Sequence, residues 1–278
     1  WPVCVQPSNI DSLVPSYSCP AASQSTPEWK TDLVDNQDLM DRLGGMLGTT
    51  GVSAWEEWYD HFFDSFVCRT CHSHPLPCNP NTQQCVSEED ARRVFALGDW
   101  ESKCVLSFSP PNATMYTQLT FGVMFLELAT NLRALLSPHD EARDWAQDRY
   151  SPPLSPSPKM RIYIGHDGSL IRLASGLGIG RQDRNGRLRW PTLGSEIILE
   201  VWSTSGSPSS VELTPLALGK NEDDNVGGEL YVRVLHDGSP VRGMGWMPFD
   251  EMLELLESNV PPDLYERCQS EASLFEAK

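Results

Sequence analysis

Gly165-His166-Asp167-Gly168-Ser169 is the stretch of this 278-residue chain whose residue types come nearest to chemistry. An imidazole next to a carboxylate offers an anion ligand and a proton donor or acceptor side by side. The pair stands where an apolar run, Met160-Arg-Ile-Tyr-Ile164, gives way to helical spacing from Ser169 to Leu177. The run reads as a short buried strand. In open α/β sheets the carboxyl ends of strands are where ligands bind, and the N–H groups of a helix starting there face an anion. A structural alternative stands beside this one: Asp167 caps the helix through its side chain and His166 is packed.

A second cluster, Cys68, Cys71, His72, His74, Cys78 and Cys85, has zinc-ligand types. Its spacing matches no standard knuckle, because the second cysteine pair is seven residues apart. Disulfides are the expected state of these thiols in an oxidising compartment, so neither a metal nor a cofactor is expected. Other catalytic patterns are absent: there is no Gly-x-Ser-x-Gly, no His-Glu-x-x-His and no phosphate-binding loop. Gly176, Gly178 and Gly180 follow a helix, not a strand, and read as a stop and turn. Glu56/Glu57 and Glu88/Glu89 read as solvated helix faces.

Nine Trp, nine Phe and seven Tyr supply the apolar area of a folded core and exclude a disordered chain. The 38 acids against 21 Lys and Arg, a net charge of −17, exclude nucleic acid as a partner, since no basic run concentrates the positive charge. The densest basic stretch, Arg181 to Arg189, is interrupted by Asp183. No membrane association is expected: the most apolar run, Leu119 to Leu136, contains Glu127 and Arg133 and has helical spacing. Eight cysteines and one sequon, at Asn112, indicate a secreted, disulfide-bearing, glycosylated protein. With no leader before Trp1, the chain reads as a mature or processed product.

Four segments are expected. Residues 1–27 are extended, and residues 28–148 form a helical lobe with a Cys-rich loop. Residues 149–158 are a Pro/Ser-rich linker, and residues 159–278 form an α/β lobe carrying the His-Asp pair. Within the helical lobe, Glu28 to Leu47 is helical with Gly44-Gly45 weakening its end. Ser53 caps a helix through Cys68 whose aromatic stripe (Trp55, Trp58, Tyr59, Phe62, Phe63, Phe66) is core. Ser87-Glu-Glu-Asp90 resembles a capping box, and a long helix runs from Ala113 to Leu136. In the α/β lobe, strands are expected over Glu196–Trp202 and Leu230–Leu235 and a helix over Phe249–Leu256. At least two of the three strands read as buried on both faces, whereas a sheet has about 5–6 strands. Something is therefore missing from the sheet.

Ile164-Gly-His-Asp-Gly-Ser-Leu170, then Pro191-Thr-Leu-Gly-Ser-Glu196 and a strand ending Glu200-Val-Trp202, resembles the C-terminal part of a secreted histidine acid phosphatase (histidine phosphatase superfamily, branch 2). The strand and turn Tyr231-Val-Arg-Val-Leu-His-Asp-Gly238 fits the same family. So do Trp1-Pro-Val and Tyr17-Ser-Cys-Pro20, which resemble the segment leading out of its first α/β unit. Cys71-His-Ser-His-Pro-Leu-Pro-Cys78 and a Gly98-Asp-Trp100 turn are similar to fungal members.

The resemblance implies an α/β fold: a central mixed sheet flanked by helices, with a helical lobe, and with the first central strand absent from this chain. The family's nucleophile lies in an Arg-His-Gly-x-Arg-x-Pro motif, and this sequence has no Arg-His-Gly. Two readings follow. In one, this is the large C-terminal chain of an acid phosphatase that hydrolyses phosphomonoesters through a phosphohistidine, partnered by a small N-terminal chain carrying the nucleophile. In the other, it is a non-catalytic pseudophosphatase or phosphate-ligand binding protein. Unpaired strand groups and exposed apolar faces favour the first. The resemblance gives His166 to phosphate binding and Asp167 to general acid/base work. An ordinary aspartic acid titrates at about 3.9, so this role implies acid conditions or a phosphate dianion beside it. The resemblance also pairs Cys19 with Cys268, and Cys78 with Cys85 is a local pair.

Overall fold

The structure, a computed structural model, describes residues 12–13, 27–106, 112–136, 160–179, 190–205, 212–215, 229–264 and 266. They divide into a helical unit (residues 27–106, 112–113 and 190) and a sheet-containing unit (residues 12–13, 114–136, 160–179, 191–205, 212–215, 229–264 and 266).

In the helical unit, α1 (Pro27–Asp35) starts on a proline, which needs no N–H partner at that position. Asn36 breaks the expected single helix by donating its side-chain amide to the Asp32 carbonyl at 3.0 Å. α2 (Gln37–Leu47) then runs straight through Gly44-Gly45 and stops at Gly48, whose φ of 74° suits glycine. Gly44 serves packing: a Cβ there would stand 3.1 Å from the Thr50 hydroxyl.

The aromatic stripe is core as expected, with Tyr59, Phe62 and Phe66 fully buried. It is not carried on one helix. Ser53 does not cap. It is the first residue of a short α3 (Ser53–Glu56) with Val52 at the N-cap, and the chain restarts as α4 (Asp60–Cys71). Between them the Tyr59 hydroxyl donates to the Asn36 carbonyl at 2.9 Å, which anchors the break.

α5 (Glu88–Leu106) begins as its sequence predicts: the Ser87 hydroxyl accepts the Asp90 N–H at 3.0 Å and donates to the Asp90 carboxylate at 2.9 Å. The helix then passes through Gly98-Asp99-Trp100, which is no turn. Gly98 is there because the Phe63 ring lies 2.6 Å from where a Cβ would be, so two helices meet at that point. Glu56, Glu57, Glu88 and Glu89 are exposed.

The sheet-containing unit opens with α6 (Asn112–Leu136), followed by α7 (Asp167–Leu177). The strands are β1 (Ile197–Ser205), β2 (Glu212–Pro215), β3 (Leu230–His236), β4 (Ser239–Pro240) and β5 (Met247–Pro248), and α8 (Phe249–Ser258) follows. Among the described residues the sheet order is β2-β1-β3-β4, β5 also pairs with β3, and every pairing is antiparallel. This mixture of helix and antiparallel sheet is compatible with an α/β fold.

The β1–β3 register sets Leu199 opposite Val234 and Val201 opposite Val232, with Glu200 opposite Arg233 between them. Val232 and Val234 are fully buried and join Phe121, Met124 and Phe125 of α6, Ala174 and Leu177 of α7, and Met252 and Leu256 of α8 in one core. The alternate positions carry a polar and aromatic ladder. Arg233 bonds Glu200 at 2.6 Å and stands 5.1 Å and 5.3 Å from the ring centres of Trp202 and Trp246. β1 and β3 are thus buried on one face, not on both. Their aliphatic and aromatic residues read alike in sequence but point in opposite directions.

A larger correction concerns residues 160–164. They form no strand: Met160, Ile162 and Ile164 are 55%, 67% and 88% exposed. Composition made the run look buried, but a strand also needs a pairing neighbour, and none is present among the described residues. Tyr163 alone turns inward, where its hydroxyl accepts from Asn131 at 2.5 Å. Burial and the nearby Glu127 carboxylate push its phenol well above the usual range.

Candidate active site

α7 is short, and its start defines the site. His166 is the N-cap, in extended backbone conformation (φ −105°, ψ 165°), and its carbonyl accepts the first helical N–H bonds from Ser169 at 3.0 Å and Leu170 at 3.1 Å. Asp167 is the first helical residue. Its carboxylate accepts the Gly168 N–H at 2.7 Å, a local bond that fixes the side chain over the helix end. Both side chains are exposed. The packed-histidine alternative is therefore corrected, and Asp167 bonds its neighbour's amide without being the N-cap. An exposed imidazole, a carboxyl group and a helix N-terminus share one small surface, which suits an anionic ligand that gains or loses a proton.

The turn beneath this surface is tied down. Ser169, buried, donates its hydroxyl to the Leu13 carbonyl, and a Cβ on Gly165 would sit 3.3 Å from that hydroxyl. Arg172 is only 4% exposed. It donates to the Gly168 carbonyl at 2.7 Å, the Tyr116 hydroxyl at 3.0 Å and the Thr120 hydroxyl at 3.2 Å. Sequence reasoning missed Arg172, Tyr116 and Thr120. The available signal was a charged residue between Ile171 and Leu173 on an otherwise apolar helix. The buried face of α7 centres on Ile171 and Ala174, while Leu170 and Leu173 are half-buried.

Other expected sites fare differently. Cys78 and Cys85 form a disulfide across a small bridge, held by a 2.9 Å bond from Val86 N–H to Pro77 carbonyl. Cys68 and Cys71 are exposed free thiols at the end of α4. Cys19, Cys268, the 149–158 linker and the basic stretch 181–189 lie outside the described residues. Asn112 is the first residue of α6. Gly178, φ 69°, ends α7 as the stop its sequence predicts. The Pro191–Glu196 stretch joins the β3–β4 turn: Ser195 donates to the Asp237 carboxylate at 2.6 Å, and the Glu196 N–H donates to it at 3.2 Å. Asp237 and Gly238, at φ 49° and 72°, make the tight turn that a two-residue hairpin requires.

No protein-family model matches the chain. It is 23% identical to human lysosomal acid phosphatase over 278 residues, covering 96% of this chain and 55% of that protein. The bovine lysosomal acid phosphatase gives the same identity and coverage. Counting factor 60 of Dictyostelium discoideum is 24% identical over 183 residues, covering 66% of this chain and 35% of that protein. The chain is thus a distant homologue of lysosomal acid phosphatase, a histidine phosphatase, along nearly its whole length. It spans about half the length of those phosphatases. Among the described residues no helix is long and apolar enough to cross a membrane.

Proposed function

We propose that this chain supplies the phosphate-binding and proton-transfer groups of a secreted, fungal-type acid phosphatase acting on phosphomonoesters. The observation that carries the reading is the exposed His166-Asp167 pair at the start of α7, in a chain similar to acid phosphatases from end to end. The nucleophilic histidine belongs to an Arg-His-Gly segment outside this sequence, on a small N-terminal partner chain. The exposed Met160, Ile162 and Ile164 beside the site support a missing neighbour.

In the first step the nucleophile's ring nitrogen bonds phosphorus while the bond to the ester oxygen breaks. His166 binds a phosphoryl oxygen, and Asp167 gives its proton to the leaving alkoxide. In the second step Asp167 takes a proton from water as the water oxygen bonds phosphorus and the phosphohistidine bond breaks. Free phosphate leaves, and both groups return to their starting states.

Intact mass of the native protein, with and without reductant, tests the partner: a second chain carrying Arg-His-Gly is expected. Activity tests the roles. Asp167→Asn should cut hydrolysis of alkyl phosphates by about 10²-fold or more, the scale of general-acid catalysis, and spare aryl phosphates. Equal losses on both substrates would remove Asp167 from the acid role. His166→Ala should lower both alike, since both share the phosphoryl group.

A second reading rests on the same exposed pair at the start of α7, a surface that suits an anion with or without turnover. In that reading the pair binds a phosphate ligand without turnover. Orthophosphate binding by a native protein whose only chain is this one would favour it.

A further inference from the structure

We propose that Arg172 is a positioning residue for Asp167, holding the first turn of α7 against α6 through the Gly168 carbonyl and the Tyr116 and Thr120 hydroxyls. This rests on the acid role given to Asp167 above. A buried guanidinium is a poor choice for stability alone, because its desolvation cost offsets most of the gain and an aliphatic side chain would pack as well. It supplies direction instead: three donors of one rigid plane reach three fixed acceptors.

Tyr116 and Thr120 stand one helical turn apart on α6, and the Thr120 hydroxyl in turn donates to the Tyr116 carbonyl at 2.8 Å. The Arg172 Cζ lies 5.5 Å from the Tyr116 ring centre, which sets the guanidinium against a second surface of the same residue. Its third acceptor, the Gly168 carbonyl, lies on its own helix. Gly168 is gripped on both sides, its carbonyl by Arg172 at 2.7 Å and its N–H by the Asp167 carboxylate at 2.7 Å. Moving Arg172 therefore moves Gly168, and with it the carboxylate that must meet the leaving oxygen. Ser169, bonded to the Leu13 carbonyl, fixes the same turn from another direction.

The test uses the complete active enzyme, this chain together with its nucleophile segment, and compares 4-nitrophenyl phosphate with an alkyl phosphate such as glycerol 2-phosphate. Arg172→Lys keeps the charge and loses the fork. Its kcat on the alkyl ester should fall by about 10²-fold, the cost of misplacing a reacting group by about 1 Å. Its kcat on the aryl ester should change by less than about threefold, with KM nearly constant for both. In an Asp167→Asn background the same change should leave the alkyl-to-aryl ratio where it is. Tyr116→Phe and Thr120→Val remove single acceptors and should shift the ratio the same way by a smaller factor, which keeps the proposal testable if Arg172→Lys folds poorly. Losses equal on the two substrates would make Arg172 merely structural and overturn the proposal. If Asp167→Asn alters the ratio and the Arg172, Tyr116 and Thr120 variants do not, this inference fails and the phosphatase reading stands. If Asp167→Asn leaves the ratio unchanged, both fall.

Discussion

Asp90 shows how one side chain can serve a helix cap and an ion pair at once. Burial alone would raise its carboxyl, but hydrogen bonds from Arg42, 2.6 Å away, and from Ser87 outweigh it and hold the group below the usual carboxylate range. Asp90 therefore binds its proton less readily folded than unfolded. Its contribution is complete above the unfolded value of about 3.9 and is lost as pH falls through the lower folded value. Asp90→Asn should thus be less stable than the parent at neutral pH, and the two should converge on acidification below about pH 4, followed by urea unfolding across pH. A constant gap between them would show that the carboxylate charge is not what matters. Ser87→Ala should cost about 1 kcal/mol through loss of the cap. A protein of acidic surroundings would have to tolerate this loss, and the helix keeps its packing against α4 in any case.

Helices and strands with a full period of apolar residues were legible from sequence, because their signal is local. α6, α8 and the paired strands β1 and β3 fall within three residues of the expected ends. What failed depended on a distant partner. Gly98 means turn or close approach according to whether Phe63 lies opposite, and Met160–Ile164 is a strand only beside another strand. Of the candidate site, the His166-Asp167 pair was legible because its residues are neighbours. Its supports were not, since Arg172 meets Thr120 and Tyr116 across 52 and 56 positions of sequence. The same reasoning gives a prediction at Gly176, inside α7, where a Cβ would lie 2.2 Å from the buried Phe125 ring of α6. Gly176→Ala should cost about 1–3 kcal/mol through forced repacking, read as a lower urea midpoint. An unchanged midpoint would mean that Phe125 has room to move.

Each of the two units is assembled from separated stretches of chain, so neither is cut out by a single break. The buried core of the sheet-containing unit draws Phe121, Met124, Phe125, Ala129 and Leu132 from α6 and the rest from residues beyond 170. A fragment of residues 159–278 alone lacks those side chains and should give a molten or aggregated product, without the sharp unfolding transition of the whole chain. A cooperative transition from that fragment would refute the shared core. The arrangement also has a consequence in time. During synthesis, residues 27–106 hold all of the helical unit's buried cluster and can close it as soon as they emerge. α6 comes next with its large aromatic and aliphatic surface, yet its partners on β3 and α8 are still unmade. At about 5–20 residues per second the ribosome needs roughly 5–25 s to supply them. For that interval α6 must be shielded by something other than its final neighbours, which makes the newborn chain a client for chaperones.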